Sequence, residues 1–177
     1  VKPPNVDYVR ASDARHAVAL LGEYGEDARV LAGGQSLIPL MSFRLARPTV
    51  LVDLNQATGL DFIRQDNGDL LIGAMTRQRT VERDPLVKAA NPLLPAVLRH
   101  VGHVTNRNRG TIGGSVAHAD PAAELPALLV GLGGEVVVEG PNGARTISSE
   151  SFFLGPFTTA MAYDEVLTAL RVPSLPP

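Results

Sequence analysis

Several residue types and patterns are missing from this 177-residue chain, and each absence narrows the possible functions. The chain contains no cysteine, which excludes a disulfide, a thiolate zinc site, a cysteine-held iron–sulfur cluster and a cysteinyl cofactor link within it. Any such centre would lie on a partner. The net charge is −2 and the isoelectric point is about 6.1, so no excess of positive charge favours nucleic acid or an anionic membrane as a partner.

Targeting and membrane signals are missing as well. The sequence shows neither a signal peptide nor an apolar run long enough to cross a bilayer, and this favours a cytoplasmic protein. Residues 173–177, Pro-Ser-Leu-Pro-Pro, look like the beginning of a linker. Because 45% of the residues are hydrophobic, we expect a globular domain with a substantial core and room for two lobes.

Familiar nucleotide and nucleophile motifs do not occur either. There is no G-x-x-x-x-G-K-S/T, and the nearest approach to G-x-G-x-x-G is Gly131-Leu132-Gly133, with Val136 in place of the third glycine. No S-x-x-K or G-x-S-x-G is present. Kinase, P-loop and ordinary Rossmann interpretations are therefore disfavoured.

Two glycine-rich stretches carry the strongest signal that is present. The first, residues 30–37, reads Val-Leu-Ala-Gly-Gly-Gln-Ser-Leu, which predicts a strand, a tight loop with free amides, and a helix capped by Ser36. The second, residues 109–115, reads Arg-Gly-Thr-Ile-Gly-Gly-Ser and predicts another glycine-rich loop. Two such loops would close on one diphosphate through backbone amides. The alternative is that both are ordinary turns.

The remaining patterns predict a mixed helix and strand chain. We expect tight turns over residues 117–123 and a helix from Glu124 to Leu132. Asp53 ends a buried strand and is interpreted as a strand-end hydrogen-bonding group. The other predicted elements are a strand near 8–10, a helix capped by Ser12, a strand over 49–54, helices within 76–104, hairpins pairing 60–64 with 69–74 and 134–140 with 144–148, and a strand over 165–172.

Polar side chains near the second stretch leave two interpretations open. His118, Asp120 and Glu124 are close enough in sequence to line one pocket. No second histidine lies at ligand spacing, so we predict no metal site. Glu124 is either a surface charge or an acceptor for ribose hydroxyls, and Asp120 is a candidate N-cap. A basic cluster is either a solvated face or a contact for phosphate or an acidic partner, and it comprises Arg99, His100, His103, Arg107 and Arg109.

Two motifs together resemble the FAD-binding medium subunits of molybdenum hydroxylases, the family of aerobic carbon monoxide dehydrogenase and of the xanthine dehydrogenase flavin domain. They are Ala-Gly-Gly-Gln-Ser-Leu at 32–37 and Asn-Arg-Asn-Arg-Gly-Thr-Ile-Gly-Gly-Ser-Val-Ala-His-Ala-Asp-Pro at 106–121. The opening Lys2-Pro3-Pro4 and Ser-Phe-Phe-Leu-Gly at 151–155 are also similar. The likeness covers essentially the whole chain.

The resemblance implies a fold and a domain organisation. The fold would be α+β, the two-subdomain FAD-binding fold of the vanillyl-alcohol oxidase type. Its subdomains would span residues 1–55 and 56–177. Family members continue into a C-terminal flavoprotein domain that is absent from this sequence, so we expect the chain alone to hold FAD weakly or to be purified without it.

The resemblance also implies which residues contact a non-covalent FAD. Backbone amides of 32–36 and 111–114 would cradle the diphosphate, with the Ser36 and Thr111 hydroxyls assisting. Leu37 would pack near the isoalloxazine, and Glu124, where relatives often have aspartate, would face the ribose. None of the residues is expected to be catalytic or to bind metal. The full predicted set is Ala32, Gly33, Gly34, Gln35, Ser36, Leu37, Thr111, Gly113, Gly114, Ser115, His118 and Glu124.

In the family the medium subunit transfers electrons between other centres. The resemblance implies that 2Fe-2S clusters on a small subunit, fed by a molybdopterin large subunit, pass electrons through FAD to a terminal acceptor. A chain without cysteine is consistent with iron–sulfur clusters that lie on a different subunit from FAD. The alternatives are a stand-alone flavin reductase or oxidase of the same fold, acting on a substrate such as an enolpyruvyl sugar nucleotide, and a non-redox diphosphate-binding scaffold module.

Overall fold

A computed structural model describes residues 5–175, so Lys2-Pro3-Pro4 and the last two prolines lie outside the described residues. The described chain is α+β, as predicted. Its principal elements form a three-stranded parallel sheet and a five-stranded antiparallel sheet, each with its own core. No helix within residues 5–175 is both long and apolar enough to cross a membrane.

The first sheet is built from β1 (Asp7–Arg10), β2 (Ala28–Leu31) and β3 (Val50–Asp53) in the order β1-β3-β2. All four residues of β3 are buried, as expected for the central strand of a parallel sheet covered on both faces. Helix α1 (Ala14–Tyr24) packs on this sheet. Its cap is Asp13, whose side chain accepts from the His16 amide at 2.9 Å, so the predicted Ser12 cap is wrong by one residue.

The second sheet consists of β4 (Ile63–Asp66), β5 (Asp69–Gly73), β6 (Glu135–Gly140), β7 (Gly143–Ser148) and β10 (Val166–Val172). Their order in the sheet is β4-β5-β10-β6-β7. Both predicted hairpins occur, and Asn67 and Gly68 form the first turn with φ of 53° and 91°, which is the left-handed backbone of a type I′ turn. Strand β10 lies between the two hairpins, a placement that no local pattern indicates.

Short helices cover one side of the second sheet and share its core, which is centred on Leu70, Ile72, Val136 and Phe152. Asp84 caps a helix that begins at Pro85, because its side chain accepts from the amides of Leu86 and Val87 at 2.8 and 3.1 Å. The remaining elements are α2 (Leu37–Ser42), α3 (Gln78–Arg83), α4 (Pro85–Ala90), α5 (Leu93–Leu98), α6 (Val104–Arg109), α7 (Ile112–His118), α8 (Glu124–Gly131), α9 (Ser149–Phe152), β8 (Phe153–Gly155) and β9 (Thr158–Thr159).

The second glycine stretch is a helix start rather than a loop, which corrects the prediction. Helix α7 begins at Ile112 and includes both glycines, and the turns predicted from residue 117 begin only after His118. A Cβ on Gly113 would lie 2.5 Å from the Ala74 Cβ. Glycine is therefore selected by close packing against the end of β5, and this packing outweighs its poor helix propensity.

One member of the basic cluster is not at the surface. Arg107 is 5% exposed and pairs with Glu82, with 2.9 Å between Nε and Oε2. Glu82 also accepts from Arg79 at 2.8 Å. Burial raises the pKa of the Glu82 carboxyl, but the hydrogen bonds from Arg79 and Arg107 outweigh burial and hold this pKa below its usual value. Arg107 thus joins α6 to α3 instead of belonging to a solvated face.

Candidate cofactor site

The two glycine-rich stretches come together in space. A Cβ on Gly33 would lie 2.8 Å from the Gly110 Cα and even closer to the Arg109 carbonyl oxygen. A Cβ on Gly114 would lie 3.5 Å from the Ala32 Cβ. We call residues 32–36 the glycine loop and residues 109–115 the helix-start motif. Because they touch through their main chains, they border one site.

The glycine loop offers a run of free donors. Within residues 5–175, the amides of 32–36 donate to no protein acceptor. Gln35 and Ser36 are exposed, and Gly34 has a φ of 71°, a left-handed conformation that favours glycine. Successive unpaired amides in such a turn form a concave site for an anion.

Ser36 occupies the predicted N-cap position of α2, but its hydroxyl does not cap the helix. Its φ of −107° and ψ of −50° are helical, whereas a capping side chain reaches the N3 amide from an extended backbone. The predicted capping hydrogen bond is therefore wrong. The Ser36 hydroxyl remains available at the rim of the glycine loop.

The helix-start motif uses its own amides inside the chain. Gly113 donates to the Ala74 carbonyl at 2.9 Å, and Gly114 donates to the Thr111 hydroxyl oxygen at 3.0 Å. Ile112 donates to the Thr76 carbonyl at 3.0 Å. Three of the four amides at 111–114 expected to cradle the diphosphate are therefore hydrogen-bonded within the chain, where they serve tertiary packing and the helix cap. Of the four, the Thr111 amide alone has no acceptor among the described residues.

A polar network that the sequence interpretation missed joins the two stretches. The side-chain nitrogen Nδ2 of Asn55 donates to the Ala32 carbonyl at 2.9 Å. The Arg77 guanidinium donates to Asn55 Oδ1 at 2.7 Å through Nη2, and to the Arg109 carbonyl through Nη1. We call this the Asn55–Arg77 bridge. Its sequence signal is weak, since only the position of Asn55 just after a buried strand marks it.

Asp53 holds Asn55, one of the two residues of the bridge, in place. Its carboxylate is buried, accepts from the Asn55 backbone at 3.0 Å and receives the Tyr8 hydroxyl. Burial raises the pKa of Asp53, but the hydrogen bonds from Tyr8 and Asn55 prevail and lower this pKa. The interpretation of Asp53 as a strand-end hydrogen-bonding group is confirmed.

Positive charge collects beside the glycine loop. Burial, together with the charge of nearby Arg109, lowers the pKa of the Arg77 guanidinium, although an arginine stays protonated. The Arg77 guanidinium, which is hydrogen-bonded to Asn55, and the row of free amides at 32–36 favour an anion with several acceptor oxygens. A diphosphate has that chemistry, so the residues present fit the charged part of a dinucleotide.

The other predicted site residues lie on α2, α7 and α8. Leu37, the first residue of α2, is half-buried, as are Ser115 and His118 on α7. The His118 ring lies 5.2 Å from the Phe157 ring, centroid to centroid. Glu124 begins α8, and its carboxylate has no hydrogen-bond or ion-pair partner within residues 5–175.

Asp120 does not cap a helix. Its carboxylate accepts from the Ala122 amide at 2.9 Å and so closes a turn between α7 and α8. Helix α8 begins at Glu124 as predicted, with Ala123 at its cap position and no side-chain cap.

Comparison with known proteins identifies close relatives. Residues 4–175 match the family model described as the FAD binding domain in molybdopterin dehydrogenase. The carbon monoxide dehydrogenase medium chain of Hydrogenophaga pseudoflava is 42% identical over 172 residues, covering 97% of this chain and 60% of the relative. The 6-hydroxypseudooxynicotine dehydrogenase complex subunit alpha of Paenarthrobacter nicotinovorans is 41% identical over 176 residues, covering 99% and 60% respectively.

Solved structures agree with these matches. A carbon monoxide dehydrogenase from Hydrogenophaga pseudoflava that lacks the Mo-pyranopterin moiety matches with a TM-score of 0.97 at 41% identity, covering 99% of this chain and 61% of that chain. Quinoline 2-oxidoreductase from Pseudomonas putida 86 matches with a TM-score of 0.96 at 40% identity, covering 99% of this chain and 61% of that chain. The chain thus spans about three-fifths of the length of these relatives. It belongs to the family of FAD-binding domains of molybdopterin dehydrogenases, and FAD is its cofactor.

Proposed function

We propose that this chain is the FAD-binding electron-transfer part of a molybdenum hydroxylase, carrying electrons from 2Fe-2S clusters on a partner subunit to a terminal acceptor. The observation that supports it most is the row of unpaired amides at 32–36 beside Arg77 and Arg109. This is a binding surface for a diphosphate that needs no lysine and no metal. Bound FAD supplies the one- and two-electron redox chemistry of the complex.

The chain's own part in this function is to bind and orient the cofactor. The free amides of the glycine loop and the Thr111 amide donate to the diphosphate, and the Ser36 hydroxyl adds a further donor. Gly113 and Gly114 contribute by close packing, since their amides are used internally. No side chain of this set has to move a proton.

Half-buried side chains on α7 and α8 extend the surface beyond the diphosphate. Ser115 and His118 lie along the cofactor, with the His118 ring held against Phe157. The unpartnered Glu124 carboxylate accepts from ribose hydroxyls, as acidic residues do at other dinucleotide sites. Leu37 packs near the isoalloxazine.

The proposed partners are a small iron–sulfur subunit and a large molybdopterin subunit. These 177 residues contain no cysteine to hold a cluster, so in this proposal the electron donor lies outside them. The 6-hydroxypseudooxynicotine dehydrogenase relative is named as a subunit of a complex, which is consistent with this division. Residues 1–55 and 56–177 form the two cofactor-binding subdomains in this proposal.

A titration of the purified chain with FAD tests the binding step. We expect saturable one-to-one binding, seen as quenching of flavin fluorescence and a shift of the visible bands. If no binding occurs, the titration is repeated on a chain extended by the part that the relatives have in addition. Absence of binding there would refute the proposal.

A second experiment tests the electron-transfer role. The FAD-loaded subunit is mixed with a reduced iron–sulfur subunit of a relative, and bleaching of the flavin bands is followed by stopped flow. We expect rapid bleaching that requires the iron–sulfur subunit. Equally fast reduction by NADH alone would favour a stand-alone flavin reductase, and failure to reduce at all would favour a scaffold.

A further inference from the structure

The two halves of the candidate site belong to different sheets. The glycine loop follows β2 of the parallel sheet, whereas the helix-start motif packs on the end of β5 through Gly113 and Ala74. A ligand that touches both halves therefore depends on the spacing between two segments that follow strands of different sheets. Main-chain contact at Gly33 limits how closely they approach, but a contact of this kind does not prevent them from separating.

The Asn55–Arg77 bridge joins the two motifs, in addition to a hydrogen bond from Asn106 to the Gln35 side chain at 3.1 Å. Asn55 lies just after β3 and holds the Ala32 carbonyl of the glycine loop, while Arg77 precedes α3 and holds the Arg109 carbonyl of the helix-start motif. The two side chains meet at 2.7 Å. The bridge therefore binds each motif at a main-chain carbonyl group. Its length is fixed because the Asn55 side-chain amide and the Arg77 guanidinium are both planar.

We propose that Asn55 and Arg77 are positioning residues that set the distance between the glycine loop and the helix-start motif for the cofactor. This inference rests on the proposed function. The bridge fixes the loops in the spacing that the diphosphate needs, so that the chain does not have to order them on binding. The residues act through the main chain and need not touch FAD.

The position of the bridge separates this role from a contribution to folding. Asn55 is exposed and Arg77 is half-buried, and neither belongs to the hydrophobic core clusters. Because Asn55 is exposed, water replaces much of this hydrogen bond when it is lost, so its net contribution to stability is small. Loss of the bridge should therefore change the spacing of the loops far more than the stability of the fold.

The test is Arg77→Lys, measured by FAD titration, thermal unfolding of the free chain and phosphorus NMR of bound FAD. Lysine keeps the charge, but one ammonium group cannot span both acceptors as the guanidinium fork does. We expect affinity for FAD to fall about tenfold, as for loss of one strong hydrogen bond, with an almost unchanged melting temperature. The diphosphate resonances of the bound state should shift, which general destabilisation alone would not cause.

Arg64→Lys is the matched control. Arg64 is exposed on β4 and lies over the Phe62 ring at 4.9 Å, and within residues 5–175 no hydrogen bond joins its side chain to either motif. We expect wild-type affinity and wild-type phosphorus resonances. The double variant Asn55→Ala with Arg77→Lys should bind about as weakly as the weaker single variant, because both changes remove the same bridge.

The outcomes separate the two proposals. If the wild type binds FAD and Arg77→Lys binds it equally well with unshifted resonances, the bridge inference is wrong and the proposed function stands. Additive losses in the double variant would also overturn the inference. If the wild type, including the extended chain, binds no FAD, the proposed function fails and the inference fails with it.

Discussion

Replacing Gly33 by alanine should separate the two halves of the site. Gly33 is buried and its φ is not in the left-handed region, so alanine is acceptable to the backbone. Its new methyl group would lie 2.8 Å from the Gly110 Cα and nearer still to the Arg109 carbonyl oxygen. Both neighbours are main chain, which cannot rotate away as a side chain can.

The size of the effect follows from those distances. Ordinary contact begins near 3.4 Å, so the glycine loop and the helix-start motif must move apart by about 0.6 Å at the Gly110 Cα and by roughly 1 Å at the nearer Arg109 carbonyl oxygen. Overpacking of this kind costs roughly 1 to 3 kcal/mol of unfolding free energy, or about 3 to 10 °C in melting temperature for a chain of this size. Losing one or two hydrogen bonds to the diphosphate would weaken FAD binding by about 10- to 100-fold.

Gly22→Ala is the matched control for this experiment. Gly22 lies inside α1, and a Cβ there meets no described heavy atom within 4 Å. Alanine should raise stability by up to about 1 kcal/mol through helix propensity and leave FAD affinity unchanged. Thermal unfolding and FAD titration of both variants decide the matter. If Gly33→Ala behaves like Gly22→Ala in both, the two motifs do not border one site as described.

Further predictions concern the cap, the buried ion pair and a turn. Thr111→Val removes the acceptor for the Gly114 amide and should lower the unfolding free energy by about 1 kcal/mol, with Thr111→Ser restoring most of it in a melting experiment. The Glu82 carboxylate has a lowered pKa, so its stabilisation is complete above its ordinary pKa of 4.5 and is lost as the pH falls through the lower folded value. Glu82→Gln should therefore flatten the acid part of a plot of melting temperature against pH, and an unchanged plot would exclude a role for the Arg107 pair. Gly68→Ala places a side chain at a φ of 91° and should cost about 1 kcal/mol in denaturant unfolding, whereas equal stability would refute the turn assignment.

Local chemistry made much of the fold predictable from sequence. Asn67 and Gly68 readily adopt the left-handed backbone conformation that the turn of their hairpin requires. Asp84 caps a helix that begins at Pro85. The α1 cap was misassigned because Ser12 and Asp13 are both good capping residues at adjacent positions. The α7 helix is not predictable from local sequence, because two adjacent glycines suggest a loop. Gly113 is required instead by close packing against Ala74, which is distant in the sequence.

The candidate site was predictable in its motifs and not in its hydrogen bonding. The glycine loop and the helix-start motif are visible as sequence, and the family is recognisable from them. Which amides remain free depends on long-range partners, such as the Thr76 carbonyl for Ile112. The Asn55–Arg77 bridge likewise joins residues 22 positions apart, so no local pattern reveals it.

The place of β10 in the second sheet has a consequence for how the protein is synthesised. Until residues 166–172 have left the ribosome, the hairpins β4–β5 and β6–β7 each have an unpaired inner edge, because β10 is the strand that joins them. Ala74, against which α7 packs, donates to the Thr168 carbonyl of this strand at 2.9 Å. The second sheet, and with it the support of the helix-start motif, is therefore completed only once residues 166–172 have been synthesised. A nascent chain that stalls before residue 166 would expose two pairing-competent edges, and such edges are sites of aggregation.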